Sequence, residues 1–204
     1  MKVELLCHTP VTGLREALRK RDLPEVDLLP HLSFTFAVEG ISRACSHQLV
    51  RHRVASFSQQ SQRYIEVRKL RKHVVTPETV AGSAPQLFES FIEKTGETYH
   101  ELLGRGIPKE DARFVLPNAT ETAMLMTMDG RSLFHFFGLR CCNRAQWEIR
   151  ALADAMLVQV RAVEPERFRR AGPYCYQLGY CPEGRFSCGR MDEVKGKYDQ
   201  MSRS

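Results

Sequence analysis

A chain of 204 residues with 43% hydrophobic and 26% charged side chains has apolar material for one buried core and too much of it to stay disordered. No run of about 18 apolar residues is present to span a bilayer, and the opening MKVELLCHTP is charged where a secretory leader needs an unbroken apolar stretch. A single cytoplasmic domain over 1–204 is therefore expected. A formal charge of +6 and a pI near 9.0 favour anionic partners without choosing among nucleic acid, nucleotides and solvent ions. Seven cysteines, an odd number running from Cys7 to Cys188, imply free thiols rather than a disulfide framework.

VELLCH reads as an opening strand and TGLREALRKRDL as a charged helix that Pro24 and Pro30 bring to an end. LSFTFAVEG alternates apolar and polar residues and predicts a strand closing at Gly40. ISRACSHQLVRH follows with helical spacing, so its C-terminal end delivers Arg51, His52 and Arg53 to a loop that runs to Tyr64. PQLFESFIEKTGETYHELLGRG places Leu87, Phe88, Phe91, Ile92, Tyr99, Leu102 and Leu103 on one stripe and stops at a glycine pair. PKEDARFVL predicts a short helix, TETAMLMTMDG a strand with Met124, Met126 and Met128 in the core, and RSLFHFFGLR and NRAQWEIRALADAMLVQVRAV two more helices. From about Gly172 the Cys, Gly and Pro content predicts a loop-rich tail.

The stretch RHRVASFSQQSQRY, Arg51 to Tyr64, holds three arginines, three serines and three glutamines. Arginine forks suit phosphates and planar carbonyl groups, yet composition alone leaves an anion pocket and a solvated basic loop equally open. Arg113, Arg131 and Arg140 form a second set, and Arg131 and His135 stand four apart on one helical face. His135, between two phenylalanines, reads as a semi-buried structural histidine. Cys141, Cys142, Cys175, Cys181 and Cys188 could chelate zinc, but no CxxC spacing supports it and no metal is assigned. The usual glycine-rich phosphate loops and the GxSxG elbow are missing, and nothing orients a Ser61–His52 catalytic pair.

Arg51-His52-Arg53, seven residues, then Ser61 resembles the signature of flavin-dependent thymidylate synthases. GISRACSHQLVRHRVASFSQQSQRY, EDARFVLPNATET and GRSLFHFFGLRCCNRAQWEIR are similar to the family's successive blocks, over about Ser33 to Ile149. The resemblance implies an α+β fold, a mostly antiparallel sheet flanked by helices, in a homotetramer with sites shared between subunits. It implies dTMP synthesis from dUMP with FAD as cofactor, NADPH and methylenetetrahydrofolate as co-substrates, and neither a membrane nor a nucleic-acid partner. Residue by residue, it assigns Gln48, Arg51, Gln59, Gln60, Ser61, Gln62, Arg63, Arg113 and Arg140 to dUMP. It assigns Arg51, His52, Arg53, Gln59, Asp129, Gly130, Arg131 and His135 to FAD, and Arg140 to the catalytic role of favouring the ionised uracil. Ser61 is not a nucleophile in this reading.

The sequence departs from the family pattern at four places: Gln59 replaces a glutamate, Asp129 an asparagine, Pro30 the glutamate before the FTF strand, and the N-terminal helices are shortened to VTGLREALRKRDLPEVD. A weakened flavin site and a rebuilt N-terminal part are both open outcomes. Two other classes compete with the enzyme: a basic nucleic-acid module using the same loop, and a silent homologue that folds without binding FAD or dUMP.

Overall fold

Two alternating runs decide the sheet. Phe34, Phe36 and Val38 on one and Met124, Met126 and Met128 on the other are buried, while the residues between them face the opposite side. The computed structural model, which describes residues 1–24, 26–64, 67 and 69–201, pairs these runs antiparallel with Phe34 opposite Met128, Phe36 opposite Met126 and Val38 opposite Met124. Buried side chains thus meet directly across the ladder, where cross-strand pairs stabilise most. The strands are β1 (Lys2–His8), β2 (Ser33–Ser42), β3 (Ser56–Gln59) and β4 (Glu121–Asp129), in the order β1-β2-β4-β3, and every pairing is antiparallel. The α+β architecture expected from the resemblance is the one observed.

The helices are α1 (Val11–Arg19), α2 (Arg43–Leu49), α3 (Glu78–Ser83), α4 (Pro85–Gly104), α5 (Lys109–Ala112), α6 (Gly130–Arg140), α7 (Trp147–Val163), α8 (Pro165–Phe168), α9 (Tyr174–Leu178) and α10 (Met191–Gln200). Phe136 and Phe137 of α6 and Ile149, Leu152, Met156 and Leu157 of α7 join the sheet's buried face in one core. The other face is only partly covered, with Leu125 at its centre 45% exposed.

Local chemistry sets the junctions that carry the site. β2 does not end at Gly40; the glycine forms a bulge at φ +66° against the backbone of Met1, and the strand continues to Ser42. Ser42 then caps α2, its Oγ accepting from the Cys45 amide at 3.0 Å. The buried carboxylate of Glu148 on α7 accepts from the Ser42 amide at 2.7 Å, which fastens α2 to the core. Because α2 closes at Leu49, Arg51, His52 and Arg53 lie on the segment beyond it rather than on its last turn. The expected loop to Tyr64 contains β3, an edge strand pairing with β4.

Two other expectations need correcting. Helix α4 forms as predicted, but Leu87 is 75% and Phe91 53% exposed; only Ile92, Thr95, Gly96 and Tyr99 of this helix are buried. It packs on residues 70–72, α3, α5 and residues 113–115, away from the sheet, so much of its apolar stripe is open. The tail is not mainly loop: it ends in α10, whose Val194 and Tyr198 enter the core. Buried Arg161 of α7 ties this tail down by donating to the carbonyl oxygens of Phe168, Arg169, Ala171 and Tyr198 at 2.6 to 3.2 Å.

Candidate active site

A cavity of about 380 Å³ lies between the segment after α2 and the outward face of α6, lined by Arg51, His52, Arg53, Arg131, His135 and Arg140 with Val54, Met128 and Leu139 as apolar wall. The αHelical spacing that put Arg131 and His135 on one face is what brings both to it. His135 is exposed rather than semi-buried, and its Nδ1 shares a short hydrogen bond with the Tyr174 hydroxyl of the tail.

Arg140 sits at the C-terminal end of α6, where a cation is favoured by the helix dipole. Its Nε donates to Nε2 of His52 at 2.8 Å and its Nη2 to the Gln48 carbonyl at 3.4 Å. An Nε2 that accepts belongs to a neutral imidazole. The same conclusion follows from environment: burial first, then the charge of Arg140 and the neighbouring His135, bring the His52 pKa down to about 4. Edge contact with Phe136, centroids 5.0 Å apart, fixes the His52 ring. Burial also lowers the pKa of Arg140, but a guanidinium stays charged. The wall therefore presents a held, partly desolvated cation with a neutral partner.

Gly130 opens α6, and a side chain there would stand 2.8 Å from the Leu29 carbonyl. The short turn Leu29–His31, which contains Pro30, thus packs directly on the start of this helix. Asp129 caps it, Oδ1 accepting from the Ser132 amide at 2.9 Å and Oδ2 from the Ser132 hydroxyl at 2.7 Å. Arg131 pairs with Asp27 at 2.7 Å, and that guanidinium holds the exposed Asp27 carboxyl below its usual range. The segment before β2 thus contacts the start of α6 through Leu29 and Asp27.

The remaining expected residues gather elsewhere. Gln59 points inward from β3, donating to Ser46 Oγ at 2.9 Å and Thr122 Oγ1 at 3.2 Å. Arg63 binds Glu110 through Nε at 3.1 Å and Nη2 at 2.8 Å, Ser61 Oγ accepts from the Arg63 amide at 3.2 Å, and Arg113 donates to the Glu110 carbonyl at 3.1 Å. None of Gln59, Gln60, Ser61, Gln62, Arg63 or Arg113 lines the cavity. The assigned set thus divides into a cavity group and a patch group within one chain.

Sequence reasoning overlooked Arg43. It begins α2, donates to the Gln60 carbonyl at 2.7 Å, and its pKa is lowered by burial and by nearby Arg113. Its Nε and the Nε2 of Gln62 are buried polar atoms without a hydrogen-bond partner. The sole signal was its place after the capping Ser42; Asp27, Glu110 and Tyr174, which join the two groups from far along the chain, left none. Among the described residues no three His, Cys, Asp or Glu side chains stand in metal-coordinating geometry, and no helix is long and apolar enough to cross a membrane.

The family described as "Thymidylate synthase complementing protein" matches residues 24–166. A flavin-dependent thymidylate synthase from Geobacter sulfurreducens is 48% identical over 99% of this chain and 100% of its own length. One of the same name from Clostridium tetani is 43% identical over 95% of this chain and 88% of its own. Among solved structures, thymidylate synthase X from Helicobacter pylori with FAD and dUMP shares the fold at a TM-score of 0.65 and 21% identity, covering 82% of this chain and 97% of its own. The UMP/dUMP methylase PolB from Streptomyces cacaoi does so at 0.65 and 24%, over 82% and 92%. With a match across most of its length and close relatives end to end, the chain belongs to the thymidylate synthase complementing protein family.

Proposed function

We propose that this chain is a flavin-dependent thymidylate synthase, making dTMP from dUMP with a carbon from methylenetetrahydrofolate and reducing equivalents from NADPH through FAD. The observation that carries the reading is Arg140, a charged guanidinium fixed by a neutral histidine at the wall of a basic cavity. FAD fits that cavity's donor set: Arg51, Arg53, Arg131 and His135 suit its phosphates, and of the carboxylates at the helix start Asp129 has both oxygens engaged by Ser132 while Asp27 is paired with Arg131. When bound, FAD supplies the hydride.

The chain's own contribution is electrostatic. Arg140 faces the uracil ring of dUMP and stabilises negative charge at N3 and its carbonyl oxygens, which enriches C5, the carbon to be methylated. His52 accepts from Arg140 and fixes the guanidinium plane; being neutral, it does not quench the charge. Arg63, Ser61, Arg113 and Arg43 bind the dUMP phosphate, and Gln62 offers its unpartnered amide, while Gln59 supports β3 from inside and Gln48 orients Arg140 through its carbonyl. Patch and cavity then belong to one site when copies of the single domain 1–204 assemble as a homotetramer, a reading supported by the separation of the two groups and the open apolar face of α4. Seven free thiols suit a reducing cytoplasm.

The test is anaerobic reconstitution with FAD, reduction by NADPH, and product analysis after adding dUMP and methylenetetrahydrofolate. dTMP formation, with a flavin spectrum that dUMP alone perturbs, supports the reading. A protein that binds neither FAD nor dUMP would make it a silent homologue.

A further inference from the structure

A second cavity, of about 230 Å³, lies behind Arg140 and is lined by Cys142, Cys175, Cys181 and Cys188 together with Arg140 and Arg144. All four cysteines are free and partly buried. One comes from the residues just after α6 and three from the tail, at intervals the sequence alone did not mark as a site.

The tail between α9 and α10 gives a physical reason for this convergence. From Leu178 to Arg190 every side chain is exposed except Cys181 and Cys188, which are partly buried. Gly179, Gly184 and Gly189 adopt left-handed conformations that turn the segment back on itself. Both ends are anchored: Tyr174 lies against Gly138, where a Cβ would stand 2.7 Å from its ring, Gln177 donates to the Phe134 carbonyl at 2.9 Å, and Tyr198 of α10 is buried. A segment so poor in buried apolar area needs another source of order, and the side chains it turns inward are thiols.

We propose that Cys142, Cys175, Cys181 and Cys188 form a tetrahedral zinc site that ties the tail to the end of α6. Four sulfur donors are the set that zinc takes in closed structural sites. The sulfurs are not gathered to one coordinating point in this structure, so rotation about the Cα–Cβ bonds accompanies binding. Zinc(II) displaces four protons from four thiols to give a complex of net charge −2, with no change of oxidation state. Arg144, on the same cavity, offsets part of that charge. The site is structural, with no open position for substrate, and its chemistry is independent of the dUMP reaction.

The experiment uses the full chain purified under reducing conditions without chelator. Metal content, cobalt(II) substitution and tryptic cleavage at Arg185 and Arg190 are measured for wild type, Cys181→Ser/Cys188→Ser and Cys7→Ser, the last an exposed cysteine that does not line the cavity. The expected result is about one zinc per wild-type and Cys7→Ser chain, a thiolate–cobalt charge-transfer band on substitution, and tail cleavage that zinc suppresses. The double variant loses the metal and the protection. If it fails to fold, wild-type metal content and cobalt spectrum still decide. Wild-type protein without bound zinc whose four thiols all alkylate in the native state overturns the proposal, as do two disulfides or acid-labile sulfide.

Discussion

Arg140 and Arg63 carry the same guanidinium and meet opposite fates. Arg140 is partly desolvated and donates to a neutral imidazole and a carbonyl, so its charge is held in place but not cancelled. Arg63 is half exposed and bound through two nitrogens to one carboxylate oxygen of Glu110, so its charge is already answered. A cation with neutral partners in a low-dielectric wall acts strongly on an incoming anion, whereas one paired in water must first exchange partners. The difference teaches that an arginine-rich sequence specifies charge, while the partners brought by the fold specify how much of it is available.

The contrast breaks most sharply at Arg140. Arg140→Ala is expected to lower turnover roughly 10²- to 10³-fold, the cost of losing one preorganised charge donor, with FAD still bound in the visible spectrum. Equal turnover in the variant would place the electrostatic centre elsewhere. His52 comes next. Its folded pKa lies near 4, below its ordinary 6.5, so as pH falls through 6.5 the unfolded chain takes up a proton that the folded one refuses. This residue therefore costs stability progressively from about pH 6.5 down to about 4, and nothing further below that. Denaturation midpoints of wild type and His52→Gln at pH 7 and 5 measure it: the variant, which keeps an acceptor for Arg140 Nε, is expected to have the shallower pH dependence.

Smaller effects sharpen the patch side. Gln59→Ala removes two inward hydrogen bonds and is expected to lower stability by about 1 to 2 kcal/mol in urea titration. Glu110→Gln should leave stability nearly unchanged, since an exposed pair contributes little. It frees Arg63, however, and dUMP binding measured by calorimetry is expected to tighten a few-fold, more so at low salt. Unchanged affinity would remove Arg63 from the phosphate site.

What could be read in advance follows the same logic of partners. β2 and β4 were legible because burial on one face imposes a period of two, and α4, α6 and α7 because their apolar residues recur at helical spacing. The covering of α4 was not legible, since a stripe announces a helix without saying what lies on it. β3 escaped notice as a four-residue edge strand of mixed polarity, SFSQ. MDEVKGKYDQ buries only Val194 and Tyr198, too few to reveal that α10 belongs to the core. At the site, the motif and the similar blocks around it named the assigned arginines but not their division into cavity and patch. Nor did it indicate Asp27, Glu110 or Tyr174, whose roles exist only through contacts distant in sequence.

Arg161 has a consequence for synthesis. Its guanidinium is buried at the last turn of α7, yet one of the four carbonyls that satisfy it belongs to Tyr198. While the ribosome is still making the tail, this cation has been built but its full set of acceptors has not. Closing the core around it too early would strand a charge away from water, at a cost of several kcal/mol. The fold is therefore expected to lock late, once α10 has cleared the exit tunnel, and a stalled chain ending before residue 198 should remain a target for chaperones and proteases.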